Sequence, residues 1–204
     1  MRLSFDEFDI SFSEISKMLF TVSPTLDVDF FLEIFEKGKI IKLKKETILY
    51  KESSHNKKLY LILDGYVRLL KSNKNGDNKT LFIFEKHQTF FCIHSNILKK
   101  PSIDSAECLT DCVLFEIDYT SLEKKMISSP KTSKIFVDNI FKFIHNTFEH
   151  INQLTLLTYE ERFHWLIENK KDFFKDLKNK HIADFLGISP ASLGRIKRKY
   201  YNKH

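Results

Sequence analysis

The chain has 204 residues, of which 42% are hydrophobic and 14% aromatic, with three Cys and a formal charge of +6. Twenty Phe against five Gly and four Pro exclude a disordered, collagenous or low-complexity chain. No run of 18 or more apolar residues suggests a membrane span, and an odd number of Cys points away from a disulfide-stapled secreted domain and towards a reducing cytoplasm.

Residues 1–37 read as short amphipathic helices, with Ile10, Ile15, Leu19, Phe30, Phe31, Ile34 and Phe35 at helical spacings and a break at Ser23-Pro24. The acids Asp6, Glu7 and Asp9 do not fit a signal peptide. From Ile40 to Ile117 the pattern changes to short β-type runs: Thr47–Tyr50, Leu59–Leu63, Tyr66–Leu70, Thr80–Phe84 and Val113–Ile117. Asn75-Gly76 between two of them marks a hairpin, because a tight turn needs the positive φ that Gly tolerates. Short strands at regular spacing predict an antiparallel roll or barrel.

The helical period returns after Asp118. Ser129-Pro130 starts a helix, with Ser as N-cap and Pro in the first turn, and no Gly or Pro follows through Leu157. Val137, Phe141, Ile144, Phe148 and Ile151 recur at alternating steps of four and three. Such a seam pairs one helix with another, although two heptads also suit a helix buried against its own domain. Thr158-Tyr-Glu-Glu161 is a capping box that opens a new helix. Charge changes there too: residues 159–204 hold eleven Lys or Arg against six Asp or Glu, whereas residues 1–158 are nearly balanced. A basic balance favours an anionic partner, and nucleic acid is the first candidate.

Asn179–Tyr201, NKHIADFLGISPASLGRIKRKYY, reads as two helices joined by a tight turn. Ala183 lets a second helix cross closely, Gly187 suits a left-handed turn residue, Ser189 caps the second helix and Pro190 begins it. Leu193, Ile196 and Tyr200 share an inward face, leaving Ala191, Ser192, Arg195, Arg198 and Lys199 on the other. This is a helix-turn-helix pattern. Ser192 and Arg195 are the candidates for reading base edges, since Arg can donate two hydrogen bonds to guanine. Lys197, Arg198, Lys199 and Lys203 suit phosphates.

The run YEERFHWLIENKKDFF…KHIADFLGISPASLGRIKRK resembles the C-terminal domain of the Crp/Fnr family of bacterial transcription regulators, in the short form familiar from the Bacteroidetes lineage. KKETILYKESSHNKKLYLILDGYVRLLKSNKNGDNKTLFIF resembles that family's cyclic-nucleotide-binding-type β-roll. The resemblance covers almost the whole chain and is weakest over 85–117. It implies an α+β protein with a sensor roll over 1–128, a dimerisation helix over 129–157 and a DNA-binding domain over 158–204. It also implies a homodimer that reads a two-fold symmetric DNA site through Ser189, Ser192 and Arg195. Ala191 falls where the cyclic AMP receptor has a base-reading Glu, so the preferred sequence need not be the same. The family's wing after the recognition helix has almost no room before His204.

Family members that bind cyclic AMP carry a Gly-Glu pair for the ribose and an Arg-Ser/Thr pair for the phosphate. The matching stretch here, HQTFFCIHSNILKKPSIDSAECLTD, has no Gly and no acid before Asp104. Ser102 stands near the place of the phosphate-binding Arg. Cyclic AMP is therefore not expected to bind, and the pocket, if it serves an effector, is assigned to Arg68, Phe91, Cys92 and Ser102. No cofactor or metal is expected. Four clustered cysteines for an iron–sulfur cluster are missing, and His87, Cys92 and His94 lack a ligand spacing. Cys108 and Cys112 read as buried small hydrophobes, with redox sensing a lesser reading. Phosphate-loop, nucleophile-elbow and cupin patterns are missing, so no enzyme is expected. The sequence therefore reads as a cytoplasmic transcription regulator, with RNA polymerase a further partner if it activates. The alternative is a ligand-binding regulatory module that acts through protein contacts.

Overall fold

The structure is a computed structural model and describes residues 34 and 36–202. Of the helices expected over residues 1–37, residues 1–33 and 35 lie outside the described residues. In chain order come β1 (Lys39–Leu43), β2 (Ile48–Tyr50), β3 (Lys58–Asp64), β4 (Val67–Ser72), β5 (Asn78–Phe84), β6 (Thr89–Phe91), α1 (Ile93–Asn96), β7 (Ser105–Cys108) and β8 (Cys112–Asp118). Six helices follow: α2 (Tyr119–Ser128), α3 (Pro130–Leu156), α4 (Tyr159–Asn169), α5 (Phe173–Asp176), α6 (Asn179–Phe185) and α7 (Pro190–Tyr201). All five strands read from the sequence are present, with ends moved by a residue or two. β6 and β7 have only three and four residues, too few to show an alternation.

The strands form two four-stranded antiparallel sheets, ordered β1-β8-β3-β6 and β2-β7-β4-β5. β3 explains why one run can be apolar throughout. Its Tyr60 and Ile62 pack between the sheets with Val67, Phe84, Phe90 and Leu114, while Leu61 and Leu63 face the other way and pack with Phe115, Leu122 and Ile135. The first sheet is thus covered on both faces, by its partner sheet and by α2 and α3. Asn75 and Gly76 (φ 82°) lie in the β4–β5 turn, where the Asn73 carboxamide oxygen accepts from the Asn75 and Asp77 amides.

β5 carries a bulge. Phe82 pairs with Leu69 but Thr80 with Leu70, so Leu81 is the extra residue and the strand's facing changes there. Phe82 and Phe84 consequently stay with the inter-sheet core, whereas Ile83 joins a third core built mainly from α4 to α7. The same strand therefore borders both the interior of the roll and the C-terminal helices.

The helix boundaries follow local chemistry. Ser129 accepts from the Thr132 amide and Pro130 opens α3. Thr158 and Glu161 form the reciprocal capping box of α4, which holds the Glu161 carboxyl below its ordinary range through the Thr158 amide and hydroxyl. One face of α3 packs inward through Thr132 and Ile135 near its start and His150 near its end. The five seam residues lie on the open face, with Phe141 63% and Phe148 61% exposed and Val137, Ile144 and Ile151 also exposed.

Candidate nucleic-acid interface and sensor cavity

α6 and α7 are joined by a turn whose chemistry is written in Gly187. Leu186 ends α6, Gly187 adopts φ 66°, its amide donates to Asp184 O at 2.9 Å, and the Ile188 amide donates to Ala183 O at 2.9 Å. This pair of bonds is the Schellman arrangement, which needs a left-handed residue at the Gly position. Ser189 then accepts from the Ser192 amide at 3.0 Å, and Pro190 follows. Ala183 and Leu193 are fully buried against each other's helices, with Ile196 and Tyr200 beside them. Arg162 of α4 clamps the turn by donating to Leu186 O at 2.6 Å and Leu157 O at 3.1 Å.

Packing on Leu193 and Ile196 leaves Ser189, Ala191, Arg195, Arg198 and Lys199 exposed on one side of α7, with Ser192 half-buried. Arg195 donates to the Ser192 hydroxyl at 3.3 Å, which holds the two expected base-reading groups together. Arg198 donates to Gly194 O at 3.4 Å. Lys199 is paired with Glu160 at 2.7 Å. Lys197 differs from expectation. Its ammonium donates to Asn179 at 3.1 Å and lies over the Phe174 ring, so it braces α7 against α5 and α6 instead of standing out with the other cations. Lys203 lies outside the described residues.

The sensor residues divide. Phe91 and Cys92 line a cavity of about 570 Å³ between the roll and α3. Arg68 does not. Val67 and Leu69 face the interior of the roll, so alternation along β4 turns Arg68 outward. There it is 4% exposed, forms an ion pair with Glu107 at 2.6 Å and donates to Thr80 at 3.1 Å. Ser102 is buried, but its hydroxyl donates to Asp104 and it is not in the cavity wall. All three cysteines are buried and free. Among the described residues no group of three or more His, Cys, Asp or Glu could hold a metal, and no helix is long and apolar enough to cross a membrane.

Arg68 has a further partner that sequence reasoning missed. His181 Nδ1 of α6 lies 3.1 Å from Arg68 Nη1. A guanidinium only donates, so Nδ1 must be the acceptor and the imidazole neutral. The docking of α6 on β5 is reinforced by Lys79–Asp184 at 3.1 Å, while Lys178–Glu46 at 2.8 Å and the Lys170–Glu85 pair tie the start of α6 and the end of α4 to other parts of the roll. The Tyr66 ring also meets Phe173 edge-on. The lone Arg in a β-type run was a signal, but its partner is 113 positions away.

Burial, and then the Arg68 charge, lower the His181 pKa to about 4. His150, stacked on Phe185 at 4.2 Å, is lowered in the same direction, again chiefly by burial. The unfolded imidazoles titrate near ~6.5. Their neutral-state contribution is therefore complete above that pH and is lost as the pH falls below it, for His181 towards about 4. Urea unfolding at pH 7.5 and pH 5 should show a lower midpoint at pH 5, and His181→Gln should lessen the difference.

The described chain is thus an antiparallel two-sheet roll followed by a long helix and a C-terminal helix-turn-helix. Residues 40–129 match the cyclic nucleotide-binding domain family, and the chain as a whole has the fold of the Crp/Fnr regulators. It is similar to FixK2 from Bradyrhizobium japonicum (TM-score 0.70, 16% identity, 81% of this chain and 85% of that one). It is also similar to CLP, the c-di-GMP responsive global regulator of Xanthomonas campestris (TM-score 0.68, 16% identity, 87% and 93%). A transcriptional regulator of the crp/fnr family from Eubacterium rectale gives a TM-score of 0.65 at 16% identity, over 88% and 86%. No curated protein matches the sequence.

Proposed function

We propose that the protein is a sequence-specific DNA-binding transcription regulator of the Crp/Fnr type, acting as a homodimer in the cytoplasm. The observation that carries this is α7. It is held by Gly187, Arg162 and Leu193 so that Ser189, Ala191, Ser192, Arg195, Arg198 and Lys199 share one accessible face. Inserted in the major groove, Arg195 reads a base edge, Arg198 and Lys199 meet phosphates, and Ser189 and Ser192 add short polar contacts. Lys199 exchanges its Glu160 partner for phosphate. The seam Val137, Phe141, Ile144, Phe148 and Ile151 takes the same seam of a second copy, since five apolar residues at heptad spacing on an open helix face form a coiled-coil surface. Two recognition helices then address a two-fold symmetric site. The effector is other than cyclic AMP: among the described residues the cavity wall holds Asp104 and no Lys or Arg, with His94 its one basic side chain, and a buried cyclic phosphate needs a fixed cation to replace its water.

Selection of binding sites from random duplex DNA tests the reading, with one symmetric motif expected. Arg195→Ala should cost about 1–3 kcal/mol of discrimination at one base pair in each half-site. Lys199→Ala should weaken all sequences alike and lower the salt slope by about one. An unchanged motif with Arg195→Ala removes that residue from base reading.

A further inference from the structure

The cavity between the roll and α3 has a volume of about 570 Å³, within the span of small-molecule sites. Its wall takes Leu69, Phe84 and Phe90 from the strands and Ile140, Phe143 and Ile144 from α3. The polar part is small. Tyr50 and Asp104 sit together, and burial plus the Asp104 charge push the Tyr50 hydroxyl well above its ordinary range, so it remains a hydrogen-bond donor. Asp104 Oδ1 accepts from Ser102 at 3.0 Å. An anion here would give up its hydration next to a carboxylate; among the described residues no Lys or Arg lines the wall to offset the loss, and His94 is its one basic side chain. An uncharged apolar molecule gives up little and gains contact with the aromatic rings.

We propose that this cavity binds an uncharged, largely apolar small molecule carrying at most a hydroxyl or similar neutral polar group at the Tyr50–Asp104 end. The proposal rests on the regulator reading and names the class of its effector. The wall also explains how occupancy reaches the DNA-binding helices. Ile144 belongs to both the cavity and the seam. Phe143 stacks on Phe84 at 5.7 Å, next to Ile83, which packs in the core of the C-terminal helices. A ligand that fits one placement of α3 better than another shifts the pairing of the two copies and the footing of α6 together.

The test uses the full chain, stripped of co-purified compounds on a hydrophobic resin and titrated with the neutral fluorophore N-phenyl-1-naphthylamine. Saturable binding of one probe per protomer is expected, with emission shifted to the blue. Cyclic AMP and decanoate should not displace it. Leu69→Trp fills the cavity from the roll and Ile140→Trp from the helix, and each should weaken the probe by about tenfold or more because the lost volume removes its contacts. Two variants on different elements guard against one failing to fold, which circular dichroism reports. The proposal is overturned if the stripped wild-type chain binds no probe. It is also overturned if decanoate competes at similar concentration, or if both folded variants bind the probe unchanged. DNA selection on the same preparation separates the two readings: selective DNA binding without probe binding ends the effector class alone, and probe binding without DNA binding ends the regulator reading.

Discussion

Phe141→Glu combined with Phe148→Glu should convert the protein to a monomer and lower its affinity for a symmetric DNA site by about 10²–10⁴-fold, the gain that linking two binding units normally supplies. Both side chains are more than 60% exposed in the single chain, so the substitutions should leave the roll and the helix-turn-helix folded. In the paired helices the same positions face each other, where apposed carboxylates would lose water and repel. Sedimentation equilibrium checks the mass, thermal unfolding the fold, and gel-shift titration the affinity. A variant that remains dimeric would show that the seam is not where the copies meet.

The second large effect is expected at Arg68. Removing one member of a buried ion pair strands the other, at a cost of about 3–5 kcal/mol. Arg68→Ala would leave Glu107, itself buried, without its guanidinium, and would also remove the donor to Thr80 and His181. The chemical-denaturation midpoint should fall by an amount in that range, and hydrogen exchange should rise at α6 as its footing on β5 loosens. The double variant Arg68→Met with Glu107→Leu should recover much of the loss, since apolar replacement of both partners removes the stranded charge. If Arg68→Ala leaves the midpoint unchanged, the pair does not hold the C-terminal helices to the roll.

The seam and Arg68 mark the limits of what could be read from one dimension. The seam was legible because helix periodicity places residues three and four apart on one face. What periodicity could not decide was whether that face turned inward or outward. The answer came from the residues on the opposite side of α3, where Thr132, Ile135 and His150 occupy the chain's own core. Arg68 was visible as an isolated cation in a β-type run, and the family resemblance drew it to the effector pocket. Strand alternation relative to Val67 and Leu69 places it on the outer face instead, against α6. Ser102 was misplaced for a related reason: loop position along the chain does not specify side-chain direction, and its hydroxyl closes locally on Asp104.

The helix-turn-helix was determined by the sequence itself, because each of its demands is local. A Schellman turn requires Gly187, a cap requires Ser189, and inward packing requires Leu193 and Ile196 at fixed offsets. Five strands of the roll, β2, β3, β4, β5 and β8, and the start and end of α3 were legible in the same way, from short β-type runs and from capping residues. Only the tertiary structure decided which face of α3 is open, how β5 uses its bulge to border both the roll and the C-terminal helices, and that Arg68 meets His181. It also decided that the sensor interior is an apolar cavity with Asp104 at its polar end. Those features depend on groups brought together from positions far apart, and no local pattern records the direction in which a side chain will find its partner.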